Sequence, residues 1–94
     1  MAKLEITKGS GNVFADLGFS PGESANLLLR STFMARLTKI VNDRALTQVE
    51  AAKLFGVTQP RVNLLLRGKI ASFSVDALVN MLARAGFAVE PRIV

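Results

Sequence analysis

The stretch LTQVEAAKLFGVTQPRVNLLLRG, Leu46 to Gly68, decides the fold. It reads as two short helices joined by a tight turn. Thr47 is an N-cap and Glu50 stands three residues on. At that spacing a cap hydroxyl and a glutamate carboxylate satisfy each other's backbone N–H. Val49, Ala52, Leu54 and Phe55 supply an apolar face at helical intervals. Gly56 accepts a positive φ, so the first helix can stop and the chain can turn sharply. Val57 tucks under the turn. Thr58 caps the second helix, with Gln59 and Pro60 in its first turn, where proline costs little because its missing N–H had no helical partner. Val62 and Leu65 face inward, and Gly68 ends the helix. Two helices about a glycine turn are the frame that a DNA-reading helix-turn-helix requires.

The flanks complete a small bundle. Ser20-Pro21-Gly22-Glu23 starts a helix that runs to about Arg44, with serine as N-cap and proline in the first turn. Leu29, Phe33, Leu37, Ile40 and Val41 form its stripe, widened by Met34. Leu27 and Leu28 lie partly off that stripe, where they fit a second subunit. Lys69 to Phe73 read as a linker. Ser72 or Ser74 caps a last helix from about Val75 to Ala85, with Val75, Leu78, Val79 and Leu82 inward, and Gly86 stops it. Phe87 to Val94 alternates and is rich in β-branched residues, as a strand does, and Pro91 assigns that strand to an edge. It needs a partner, either Leu4–Ile6 or its own copy across a two-fold axis. The expectation taken forward is the dimer, with Phe87, Val89 and Ile93 at the contact. Residues 1–19 read as an irregular, glycine-rich arm with a short helical turn around Val13 to Leu17. The expected fold is mainly all-α: about five helices and a short C-terminal strand in one domain over 20–94, preceded by the arm.

Composition narrows the function. A chain of 94 residues makes one small domain, yet half of it is hydrophobic and its mean hydropathy is +0.36. That is more apolar surface than so small an interior can hide, which points to a subunit interface, most simply a two-fold dimer. No apolar run approaches the roughly 18 residues of a membrane span, and MAKLEITKGSG lacks the core of a signal peptide. The absence of cysteine excludes disulfides and thiolate metal sites. A cytoplasmic protein is expected. Twelve basic residues against seven acidic give +5. The excess is concentrated: Lys53, Arg61, Arg67 and Lys69 face only Glu50 between residues 47 and 70. A localised basic patch suits a polyanion. An enzyme fits badly. With neither His nor Cys, acid–base and thiol chemistry would fall to scattered carboxylates and lysines. No phosphate-binding glycine loop, dinucleotide fingerprint or metal-ligand cluster is present. No cofactor is expected.

Residues 46–70 resemble the Xre, or phage-repressor-like, helix-turn-helix family. The longer run to Val94 is similar to its HigA-type antitoxins and regulators. There a long leading helix, a Q-x-E-A-A…G-V-x-Q-P-x-V…L-x-x-G core, an F-S-x-x-x-L segment and a final strand follow one another, and the likeness covers about residues 14–93. It implies a phage-repressor-like bundle, a homodimer, and binding to operator DNA with repression of its own operon. It also implies, for many such proteins, a ribonuclease-like toxin as second partner. Transferred by position, it implies that Gln48 holds a phosphate and that Gln59 and Arg61 meet base edges, with Asn63 one turn further along. Pro60 departs from the pattern, since it cannot donate a hydrogen bond, and Leu64 and Leu66 stand where polar residues are common.

The chemistry agrees with these positions. Arginine can bridge guanine O6 and N7, as Arg61 would, and Gln59 and Asn63 can match adenine N6 and N7. Phosphate contacts are expected from Gln48, Lys53, Arg67 and Lys69, and from the helix N-termini at Thr47 and Thr58. The competing reading is a protein-interaction module that neutralises a partner without reading DNA. Salt-dependent binding to duplex DNA separates the two.

Overall fold

A computed structural model describes residues 2–7, 18 and 20–92, with 2–7 and 90–92 described by their backbone. The helical turn expected around Val13 to Leu17, and Ile93, lie outside the described residues. In chain order the elements are β1 (Ala2–Thr7), α1 (Pro21–Asp43), α2 (Gln48–Phe55), α3 (Gln59–Leu66), a 3-10 turn (Ile70–Ser72), α4 (Val75–Arg84) and β2 (Phe87–Arg92). Four α-helices among the described residues thus stand where about five were expected, and a 3-10 turn occupies the supposed linker.

Helix α1 begins as its sequence requires. The Ser20 hydroxyl accepts from the Glu23 N–H at 3.2 Å, and Pro21 occupies the first helical position. It ends where Ala45 adopts a left-handed φ of 49° and the Leu46 N–H returns to the Val41 carbonyl at 3.0 Å. Its buried face is Phe33, Met34, Leu37, Ile40 and Val41, the expected stripe. Leu29 packs partly buried against the core, while Leu27 and Leu28 are half-buried beside it.

The core gathers Leu37, Ala51, Phe55, Val62, Leu65, Leu78 and Leu82, all at or near zero exposure. Every helix contributes. Each fully buried leucine or phenylalanine contributes about 1.5–3 kcal/mol. That burial holds α2 and α3, which at eight residues each are too short to persist alone. On α2 the inward residues are Ala51 and Phe55, four apart, with Ala52 and Leu54 half-buried. Val49, expected inward, is 49% exposed. It sits in the first turn, two positions before Ala51, and that places it on the opposite side of the helix.

β1 and β2 form a two-stranded parallel sheet in register Ala2↔Phe87 through Thr7↔Arg92. The strand expected to pair with its own copy therefore pairs with this chain's N-terminus, the other of the two alternatives. The reason lies at Gly86. Its φ of 95° turns the chain directly off α4 and lays β2 back over the helices. Phe87 is then buried under the Arg36 guanidinium, 5.2 Å from the ring centre, and Val89 packs partly buried against the core. Both side chains thus pack toward their own domain, Phe87 buried and Val89 half-buried. Among the described residues no helix is long and apolar enough to cross a membrane.

Candidate nucleic-acid interface

The entry to α2 is held by a reciprocal cap. The Glu50 N–H donates to the Thr47 hydroxyl at 3.1 Å, and the Thr47 N–H donates to the Glu50 carboxylate at 2.9 Å. The backbone N–H of Thr47 is the main cause holding the Glu50 carboxyl below its usual range, followed by the Thr47 hydroxyl and the charge of Lys53. This order fixes the first turn and with it Gln48, the residue directly after the cap. Thr47 itself is exposed, with its hydroxyl engaged in the cap.

The turn follows the expected course. Gly56 takes φ 70° and ψ 34°, and the Val57 N–H reaches back to the Ala52 carbonyl at 3.0 Å. The side chain of Arg84, from the end of α4, lies directly over Gly56, in the space a Cβ would fill. Helix α3 then starts without the expected side-chain cap. Thr58 has the extended cap backbone, and its carbonyl accepts from Val62 at 3.2 Å, but its hydroxyl makes no capping bond. Pro60, lacking an N–H, leaves one donor fewer in that turn to satisfy.

Rotation along α3 assigns its faces. At about 100° per residue, Val62 and Leu65 define the inner side, and Gln59, Pro60, Asn63, Leu64 and Arg67 the outer. Gln59, Pro60 and Arg67 are exposed, Asn63 and Leu64 half-buried. Gln48, Gln59, Pro60, Asn63 and Leu64 together line an open hollow of about 510 Å3 between α2 and α3. Three amide side chains, each with paired donor and acceptor, thus converge on one surface beside a helix N-terminus. Lys53, Thr58, Arg67 and Lys69 stand exposed around the two-helix unit.

Arg61 departs from expectation. It falls about 160° from Asn63 around the helix, on the flank of the buried side. Its Nη1 donates to the Ser72 carbonyl at 2.8 Å, and its guanidinium stacks on Phe73, 4.3 Å from the ring centre. The donors expected to meet a guanine are turned into the domain. The signal was present in the sequence, because residues 59 and 63 share a face that 61 cannot share. Arg30 and Arg84 escaped sequence reasoning altogether. Arg30 reaches from α1 to the carbonyls of Ile70 and Phe73, at 3.1 and 3.5 Å. No local pattern marks a contact spanning forty residues.

The matching family model is described as a helix-turn-helix domain, and it covers residues 13–94. No curated protein matches the chain.

Proposed function

The chain belongs to this helix-turn-helix domain family and is a DNA-binding regulator, and from that premise we propose that it is a repressor that lays α3 in the major groove of an operator. One observation carries the reading: Gln48, Gln59 and Asn63 line a single hollow on the outer side of the two-helix unit. In this arrangement Gln59 and Asn63 meet base edges, while Gln48, the cap at Thr47 and the start of α3 at Thr58 meet phosphates. Lys53, Arg67 and Lys69 add the non-specific attraction.

The working unit is a homodimer in the cytoplasm, where two copies set their α3 helices about 34 Å apart on successive turns of the duplex. Phe87 is buried within the chain and Val89 keeps part of its surface exposed. The two outer edges of the β1–β2 sheet carry no further strand among the described residues, and the second copy meets the first there. The likeness to HigA-type proteins supports a further role as the antitoxin of a ribonuclease-like toxin encoded beside it. Growth rescue on coexpression with the product of that neighbouring gene tests this role, and a neighbour that is harmless alone would refute it.

The DNA reading is tested by selecting duplexes from a random pool and titrating the winner with salt. A preferred sequence is expected, with log K falling linearly in log salt by about 0.9 per neutralised phosphate. Failure to enrich any sequence, with no binding at low salt, would overturn it.

A further inference from the structure

Helix α3 is followed by a 3-10 turn whose backbone is bonded locally, beginning with the Ile70 N–H to the Gly68 carbonyl at 2.9 Å. Within it the Ser72 N–H reaches Lys69 at 3.0 Å and the Phe73 N–H reaches Ile70 at 3.3 Å. Two cations from outside bind its carbonyls and tie it to the neighbouring helices. Arg30, on α1, donates to the carbonyls of Ile70 and Phe73. Arg61, on α3, donates to the carbonyl between them in sequence, that of Ser72, and lies flat on the Phe73 ring. Phe73 is itself a core residue at 2% exposure. The turn is therefore gripped from two helices, and one grip is mounted on the core.

Arginine suits this task and lysine does not. The planar guanidinium can donate within its plane and stack through its face at once, and charge-assisted bonds to carbonyls are the stronger kind. The bond engages Nη1 and the stacking engages the guanidinium face, so a bidentate contact with guanine would compete with both. Leaving them would strip Ser72 and Phe73 of their partner just as α3 approached the duplex.

We infer that Arg61 is a positioning residue and not a base reader: with Arg30 it pins the Ile70–Phe73 turn between α1 and α3 and so sets the angle at which Gln59 and Asn63 are offered to DNA. This rests on the reading that the outer face of α3 enters the groove. The basic excess counted on the two-helix unit is accordingly smaller at the DNA surface than in the sequence.

The experiment pairs selection with nuclear magnetic resonance on the full chain. In the free protein the Arg61 side-chain protons are expected to be shifted upfield by the Phe73 ring. On adding the selected duplex they should stay in place while the side-chain amides of Gln59 and Asn63 move. Arg61→Lys and Arg61→Gln, each checked as folded by circular dichroism, should both lower the preference for the selected over a scrambled duplex roughly tenfold. The loss should spread over every base pair read by α3, and Arg61→Lys should leave the salt slope as in the wild type. Arg30→Gln should behave alike, and the double variant should lose less than the product of the two singles, because both act on one turn.

Loss of preference at one base pair alone, rescue by Arg61→Lys, or movement of the Arg61 signal on binding would overturn the inference. A wild type that selects no sequence would instead overturn the DNA reading and the purpose given to the clamp, with the upfield Arg61 signal intact.

Discussion

Replacing Gly56 with alanine tests the turn on which the two-helix unit depends. The residue sits at φ 70°, where an L-residue is strained by roughly 1–2 kcal/mol. Alanine recovers about 0.4–1 kcal/mol by restricting the unfolded chain. The new Cβ would also strike Nε, Cδ and Cζ of Arg84, the far end of an exposed side chain that can swing aside. The net cost is about 1 kcal/mol, which in a domain of this size lowers Tm by roughly 4–8 °C. Thermal and urea unfolding followed by circular dichroism measures it. Gly56→Asn should lose less, because asparagine tolerates the left-handed region better. Ala45 provides a control of opposite sign. It holds φ 49° without being glycine, so Ala45→Gly should be neutral to slightly stabilising. A Gly56→Ala protein that melts at or above the wild-type temperature would refute the conformational account. So would an equal loss from Gly56→Asn.

Further outcomes are expected elsewhere in the fold. Thr47→Ala removes the hydroxyl arm of the cap, leaving the backbone N–H of residue 47 to the Glu50 carboxylate, and should cost about 1 kcal/mol in urea unfolding. The Glu50 carboxyl is held below its usual value of 4.5, so its contribution is fully present above that pH and is lost as pH falls through the lowered folded value. The melting difference between wild type and Glu50→Gln should therefore be positive at neutral pH and vanish in acid, and a difference that persists there would contradict the cap. Asn63→Ala should cost about 1–3 kcal/mol of discrimination at one base pair, as read by binding to single-base variants of the selected duplex. Removing residues 1–7 should abolish amide protection along β2 in hydrogen exchange, read at 88–90 and 92 because Pro91 has no N–H, while leaving helical protection intact, because β1 packs chiefly on β2 and the core lies in the helices.

The local features of this protein were legible in its sequence because each is settled within a few residues. Thr47 and Glu50 are three apart, Ser74 caps the Ala77 N–H three residues on, and Gly56, Gly68 and Gly86 take the positive φ that ends an element. The spacing of Phe33, Leu37 and Ile40, and of Leu78 and Leu82, settled which faces are buried. Gln59 and Asn63 were placed on one helical face by the same periodicity, whereas Gln48, on the preceding helix, joins them on one surface only in the fold. What only the tertiary structure decided joins residues far apart. Arg30 reaches Ile70, Arg61 reaches Ser72 rather than outward, Arg84 covers Gly56, and Ala2–Thr7 pairs in parallel with Phe87–Arg92. Backbone caps and helical faces follow from local hydrogen bonds and a fixed rotation per residue. Where a long arginine ends, or which strand completes a sheet edge, depends on how the packed helices are set against one another, and no short window of sequence holds that information.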